Sequence, residues 1–387
     1  MTKKNSSHFF YAMGLHMHQP PHNLKLLIEH NEWEAQQIIK CYERAVRYAL
    51  KYPQGEFHVD FSGVLIEQFL DPYIIDKYRC FVDIPKMLED YRRAKNIEII
   101  GMGYYHPIFP LIPKEDWPEQ LDKGQEIFMK AFGISPKGFW PSEMAFCMEM
   151  IPELVKAGYE YVVVDHVHVK PKDGKPLDPF QLYTAECEGV QITIIPRHRD
   201  MSNAQESGLN PEWFLKESQN QLEKYSVAKD PLLTTWSDGE NGGWFRQIDD
   251  NAGFFGYFWA PLLEQIKSKE AKVKTIKFSD YIKLLPPKMM ANVNTGAWNV
   301  ATTSGYDFAQ WNGSGSQKKA IEELCQVSGR YWELSKGKLT KEKKEKLIKA
   351  RQAILDAETS CYLFWGEAWL PKLYEKLDEA KYLLRDL

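Results

Sequence analysis

Ile151-Pro152-Glu153-Leu154-Val155-Lys156-Ala157-Gly158-Tyr159-Glu160-Tyr161-Val162-Val163-Val164-Asp165 contains one full turn of a repeating pattern. Residues 151–157 carry helical spacing and Gly158 closes the helix. Residues 161–164 are apolar and strongly β-branched, which reads as a buried strand. The strand ends on an acid, Asp165. The same alternation runs outward in both directions. Strands are expected at residues 9–15, 57–61, 97–100, 137–140, 190–195, 232–235 and 273–276. Helices are expected at 32–50, 84–93, 117–132 and 259–268. The 32–50 helix places Ile38, Tyr42, Ala45, Val46 and Ala49 on one face. Strands that alternate with helices form a parallel sheet with right-handed crossovers. With seven or eight units, closure into a barrel is the expected outcome.

The pattern changes near residue 315. Beyond it the apolar residues recur at helical spacing, as in Leu347, Ile354, Leu355, Tyr362 and Leu363. We expect a catalytic barrel over residues 1–315 and a helical C-terminal subdomain over 316–387. Asn312-Gly313-Ser314-Gly315-Ser316 reads as the loop between them.

The chain has 387 residues, of which 44% are hydrophobic and 26% charged, a soluble globular composition. Lys+Arg 49 against Asp+Glu 53 leaves −4, which argues against a broad nucleic-acid surface. The Lys-rich stretch 336–349 alternates with Glu and reads as a solvated helix face. The six cysteines are far apart and form no C-x-x-C pair, which suits free thiols in a reducing compartment. No signal peptide and no run long enough to span a membrane is evident, so a cytoplasmic enzyme is expected.

In a parallel barrel, reactive residues sit at the C-terminal ends of strands. His16, Asp60, Tyr104, Glu143, Asp165, residues 197–200 and Asp238 all fall at or just after such ends. Two segments stand out. Gly138-Phe139-Trp140-Pro141-Ser142-Glu143 holds a carboxylate behind a proline that restricts the backbone. Trp236-Ser237-Asp238-Gly239-Glu240-Asn241-Gly242-Gly243 holds another in a glycine-rich turn that permits close ligand approach. Two carboxylates facing each other across an aromatic cleft are the usual equipment for cutting a glycosidic bond. Glu240 competes with Asp238 for the catalytic role or tunes it.

His16 and His18 share one side of their strand if it stays extended; they contact sugar hydroxyls, bind a metal with a third ligand, or are structural. Tyr104-Tyr105-His106-Pro107 either offers stacking and a hydroxyl or is a turn capped by Pro107. Asp165 and Arg199 either help hold a charged site or form an ion pair at the barrel rim. Walker, G-x-S-x-G and H-E-x-x-H motifs are absent, which disfavours nucleotide-dependent, lipase-like and zincin chemistry.

In this order, His16–Pro20, Tyr104–Pro110, Gly138–Glu143, Trp236–Gly243 and, more loosely, Cys361–Trp369 resemble glycoside hydrolase family 57. The resemblance implies an α/β fold, a distorted (β/α)7 barrel with helices at the C-terminus, and retaining chemistry on α-glucans. It implies Glu143 as nucleophile and Asp238 as general acid/base. His16, His18, His106 and Trp140 match positions near the sugar. It implies no metal and no organic cofactor. Trp244 and Trp365, with their flanking residues, fall where the acceptor is chosen. The expected substrate is an α-1,4-linked glucan or maltooligosaccharide, with hydrolysis of the α-amylase type favoured. A 4-α-glucanotransferase or branching enzyme would use the same site. The rivals from other classes are a metal-dependent polysaccharide deacetylase using His16, His18 and an Asp, and a non-catalytic glucan-binding protein.

Overall fold

The computed structural model describes residues 8–247, 249, 251–269, 271–298, 306–385 and 387. The polar N-terminal residues 1–7, part of the signal-peptide reading, lie outside the described residues.

The strands are β1 (Phe9–Met17), β2 (Phe57–Phe61), β3 (Ile97–Ile100), β4 (Gly138–Phe139), β5 (Tyr161–Asp165), β6 (Val169–Pro171), β7 (Tyr183–Cys187), β8 (Val190–Arg197), β9 (Leu232–Asp238), β10 (Val273–Thr275) and β11 (Met289–Val293). Parallel pairing runs β9–β1–β2–β3 and β4–β5–β8. A parallel bridge from Gly101 to Phe139 joins β3 to β4. Between β8 and β9 the backbone contact thins to His198 N–H donating to Thr234 O at 2.8 Å. Side chains fill that seam: Arg197 Nε donates to the Trp236 carbonyl at 2.8 Å, and Ser202 Oγ accepts from Trp236 N–H at 3.1 Å. The parallel ring is therefore β1, β2, β3, β4, β5, β8 and β9, distorted where side chains replace the ladder. β10 pairs with residues 9–11 of β1, at the end away from the strand C-termini.

All the expected strands are present; the one at 137–140 is shortened to Gly138–Phe139. The hairpin of β7 with β8 and the short β6 and β11 extend the second sheet and had no expected counterpart. They are short, and their side chains are only alternately buried.

The barrel interior is aromatic. Trp140 and Trp236 stack with ring centroids 4.6 Å apart, and both are fully buried. Gly14 makes room for this pair: a Cβ there would lie 2.0 Å from the Trp236 ring. Outside the ring, Glu32–Lys51 starts on an Asn31 side-chain cap and buries Ile38, Tyr42 and Val46. Trp117–Phe132 ends at Gly133 in the left-handed conformation, φ 70°.

The C-terminal helices are Gly315–Ser335, opened by a Ser314/Gln317 capping box, Lys341–Ala357 and Leu370–Leu384. Their apolar residues, including Ile354, Leu373 and Leu377, join one core with Phe139, Val162 and Ile194 of the barrel. Buried polar contacts tie the two parts together. Arg351 pairs with Asp116 at 2.7 Å, and Gln120 Nε2 donates to Glu358 at 2.6 Å. The turn after Lys341–Ala357 plugs into the barrel mouth: Thr359 bridges Pro107, and Ser360 N–H donates to the His106 carbonyl at 3.0 Å.

Candidate active site

The register of β1 with its neighbours sets His16 opposite Asp60 on β2 and opposite Asp238 on β9. Glu143 follows β4 by a short loop in which Glu143 and Met144 both hold positive φ, 57° and 53°. Non-glycine residues rarely adopt this conformation, and its cost is borne where a side chain must be aimed. His106 is held the same way at φ 58°.

A cleft of about 410 Å³ opens at this end of the barrel. Glu143 and Asp238 both line it, together with His16, His18, Glu240 and Trp365. Glu143 Oε2 accepts from Trp298 Nε1 at 2.9 Å, and Oε1 accepts from Ser360 Oγ at 3.3 Å. Burial pushes the Glu143 carboxyl above its ordinary value and the Asp238 charge adds to this; Trp298, His16 and Ser360 pull it back. Asp238 Oδ2 accepts from Asn241 Nδ2 at 2.6 Å.

Behind the carboxylates lies a nest of histidines. His16 Nδ1 is 2.6 Å from Asp60 Oδ2, and Asp60 Oδ1 accepts from Trp236 Nε1 at 2.8 Å. Burial opposes a charge on His16, but Asp60, joined by the Asp238 and Glu240 charges, raises the imidazole to about 10. His18 and His106 stack at 3.9 Å; burial, then their histidine neighbours, hold both well below the ordinary value. Glu240 is buried, with Oε1 accepting from His18 N–H at 2.9 Å and Oε2 lacking a partner among the described residues. Burial and the Asp238 charge push it well above the ordinary carboxylate range.

Other expected site residues stand away from the cleft wall. His106 and Trp140 are fully buried behind His16. Asp165 is buried against two guanidinium groups, Arg197 at 3.1 Å and Arg199 at 2.8 Å. Burial would raise its carboxyl, but the two arginines hold it below the ordinary range. Arg199 lies over the Tyr306 ring, 3.1 Å from its centroid. Trp244 donates to the Gln205 carbonyl at 3.0 Å and packs on Phe254 and Tyr257. Direct sugar contact by these residues therefore does not follow from where they sit.

The wall also includes Trp298 and Glu206, which spacing did not single out, and Arg197, Phe364 and Trp369 from stretches it had marked. Trp298 arrives through Phe146, which bridges Gly296, and through its own N–H donating to the Glu143 carbonyl at 3.0 Å. Arg197 faces the Trp298 ring at 5.3 Å. Trp365, 56% exposed, and Trp369 form an aromatic ledge with centroids 6.4 Å apart.

Among the described residues, no group of three or more His, Cys, Asp or Glu is arranged to hold a metal ion. The His18 ring nitrogens have other partners: Nδ1 meets Ser62 Oγ at 2.7 Å and Nε2 meets Cys361 Sγ at 3.2 Å. The cysteines are all free thiols. Among the described residues, no helix is long and apolar enough to cross a membrane.

The sequence profile of glycosyl hydrolase family 57 matches residues 12–294. The chain belongs to glycosyl hydrolase family 57. This family 57 chain is 26% identical over 331 residues to α-amylase 1 of Dictyoglomus thermophilum, covering 84% of this chain and 43% of the relative. It is 25% identical over 326 residues to the 4-α-glucanotransferase of Thermococcus litoralis, covering 82% and 44%. It thus spans less than half the length of these relatives. Among solved structures, the GH57-type branching enzyme of Pyrococcus horikoshii aligns with a TM-score of 0.74 at 16% identity, over 97% of this chain and 88% of that one. The T. litoralis 4-α-glucanotransferase aligns at 0.68 and 22% identity, over 97% and 60%. At these identities the likeness is one of fold, and it covers the C-terminal helices as well as the barrel.

Proposed function

We propose that this family 57 chain is a retaining glycosidase acting on α-1,4-linked glucans, with Glu143 as nucleophile and Asp238 as general acid/base. The observation that carries the reading is that both carboxylates line one cleft beside His16, His18 and an exposed tryptophan ledge. Asp238, protonated, donates to the departing glycosidic oxygen while Glu143 attacks the anomeric carbon. A glycosyl-enzyme forms; Asp238 then takes a proton from the incoming water, which breaks the Glu143–sugar bond. Retention requires the two carboxyl groups to work about 5–5.5 Å apart. Two donors on Glu143, Trp298 Nε1 and Ser360 Oγ, favour its ionised form as a nucleophile needs. The Trp365–Trp369 ledge suits the apolar face of a pyranose ring.

Relatives named α-amylase and 4-α-glucanotransferase stand at nearly the same identity, so the acceptor is the open branch of this proposal. We favour water. Maltooligosaccharide products decide it: a net gain of reducing ends supports hydrolysis. A redistributed ladder without that gain makes the chain a glucanotransferase, and new α-1,6 linkages a branching enzyme. No change with the wild type, under conditions where it binds glucan, refutes the enzymatic reading.

A further inference from the structure

The hydrogen bonds behind Glu143 have a direction that their partners dictate. Asp60 uses Oδ1 for Trp236 and Oδ2 for His16, so His16 Nδ1 donates. At the far end, ionised Glu143 can only accept, so Ser360 Oγ donates to Oε1 at 3.3 Å. With its own proton committed, Ser360 Oγ must accept from His106 Nδ1 at 2.7 Å. That fixes His106 as the Nδ1–H tautomer and leaves Nε2 as an acceptor. His16 Nε2, 3.2 Å away, supplies the proton. From His16 the donors run in one sense through His106 and Ser360 to Glu143, while the other His16 nitrogen donates back to Asp60.

Resting on the reading of Glu143 as nucleophile, we propose that Ser360 is a positioning residue: its hydroxyl carries the His16–His106 hydrogen-bond chain onto Glu143 Oε1 and holds that carboxylate oriented and ionised. Ser360 is placed for this by the C-terminal helical part. It starts the helix Ser360–Phe364, and its N–H is tied to the His106 carbonyl at 3.0 Å. It therefore spans the two positions of the site, His106 and Glu143, whose backbones are held at positive φ. Without the hydroxyl, His106 Nδ1 stands 3.9 Å from Glu143 Oε1, too far for a direct bond. Among the described residues, the other charged or titratable groups facing Glu143 are Asp238 across the cleft, His16 and the neighbouring Cys361 thiol. Asp238 favours the protonated carboxyl and His16 the ionised one; neither is removed by a change at position 360.

The test follows the Glu143 carboxyl directly. The full chain, with ¹³C at glutamate side-chain carboxyls, is titrated by NMR; the Glu143 signal is assigned by its loss in Glu143→Gln. Ser360→Ala is expected to move the Glu143 midpoint up by about one pH unit, and Ser360→Thr to restore it. The acid limb of kcat/KM on maltooligosaccharides moves with it. An unmoved midpoint in Ser360→Ala overturns the proposal, even if kcat falls. A moved midpoint in a protein that turns over no α-glucan upholds the hydrogen-bond role and refutes the glycosidase reading instead. Should Ser360→Ala not fold, Ser360→Cys puts a weaker donor in the same place. Its midpoint should then lie above that of Ser360→Thr, and equality of the two overturns the proposal.

Discussion

Replacing Asp60 by Asn should discharge His16. The two groups are 2.6 Å apart, with Asp60 fully buried and His16 nearly so. Burial opposes the charge on His16, and Asp60, with smaller help from Asp238 and Glu240, raises it to about 10. With a neutral Asn, burial prevails and the imidazole should fall below its ordinary 6.5. That is a fall of at least about 3.5 pH units, or roughly 5 kcal/mol at ~1.36 kcal/mol per unit. The figure agrees with the ~3–5 kcal/mol lost when one partner of a buried ion pair is removed. Spread over the unfolding entropy of a chain this long, it lowers Tm by roughly 4–6 °C.

The pH dependence has a fixed sign. A histidine raised in the folded state contributes fully below about pH 6.5 and loses that contribution as pH rises through about 10. The Tm gap between wild type and Asp60→Asn should therefore be widest near pH 6 and close toward pH 10. Long-range ¹H–¹⁵N spectra report the ring directly. Wild type at pH 7 should show His16 protonated on both nitrogens, and the variant on one. A doubly protonated His16 in Asp60→Asn at pH 7, or a Tm gap that widens toward pH 10, would refute the reasoning.

Trp298→Phe removes the indole donor to Glu143 Oε2 and keeps an aromatic ring beside it. A hydrogen bond to a charged group is worth about 1.5–3 kcal/mol, so the acid limb of kcat/KM should rise by about 1–2 pH units. The alkaline plateau should change less; a lowered plateau with an unmoved limb counts against the assignment. Glu358 is buried, and burial with nearby Asp116 pushes its carboxyl well above the ordinary range. A carboxyl raised on folding contributes its stability below about pH 4.5 and loses it as pH climbs through the folded value. Glu358→Gln should therefore gain in Tm over wild type as pH rises from 4.5 to 7.5, and thermal melts across that range showing no such gain would contradict this.

Much of the barrel was legible because its signals are local. Val162–Val164 and Leu232–Leu233 are buried in short apolar strands, and the acids that end those strands reach the same end of the barrel. The histidines on β1 were legible for the same reason. Other features depend on contacts distant in the chain. Trp298 follows Gly296, with no strand end beside it among the described residues, and is brought to Glu143 by the Phe146–Gly296 bridge and its own N–H on the Glu143 carbonyl. Ser360 sits in a helical turn that enters the mouth through Thr359 and Pro107. Trp244 lies beside a glycine-rich turn, a position that suggests a ligand, yet packing on Phe254 and a bond to Gln205 draw it aside. For Asp165 and Arg199, residue type fitted both a site role and an ion pair, and the geometry is that of a buried ion pair.

The central claim is that Glu143 forms a bond to sugar that Asp238 helps to break. Asp238→Asn, given an activated α-glucosyl fluoride, should accumulate the glycosyl-enzyme, because a good leaving group needs no acid while the second step has lost its base. Mass spectrometry of the digested protein should place one added glycosyl unit on the peptide containing Glu143, and azide should release it as the α-glycosyl azide. A label on another residue, or a β-glycosyl azide formed with no labelled protein, would contradict the account.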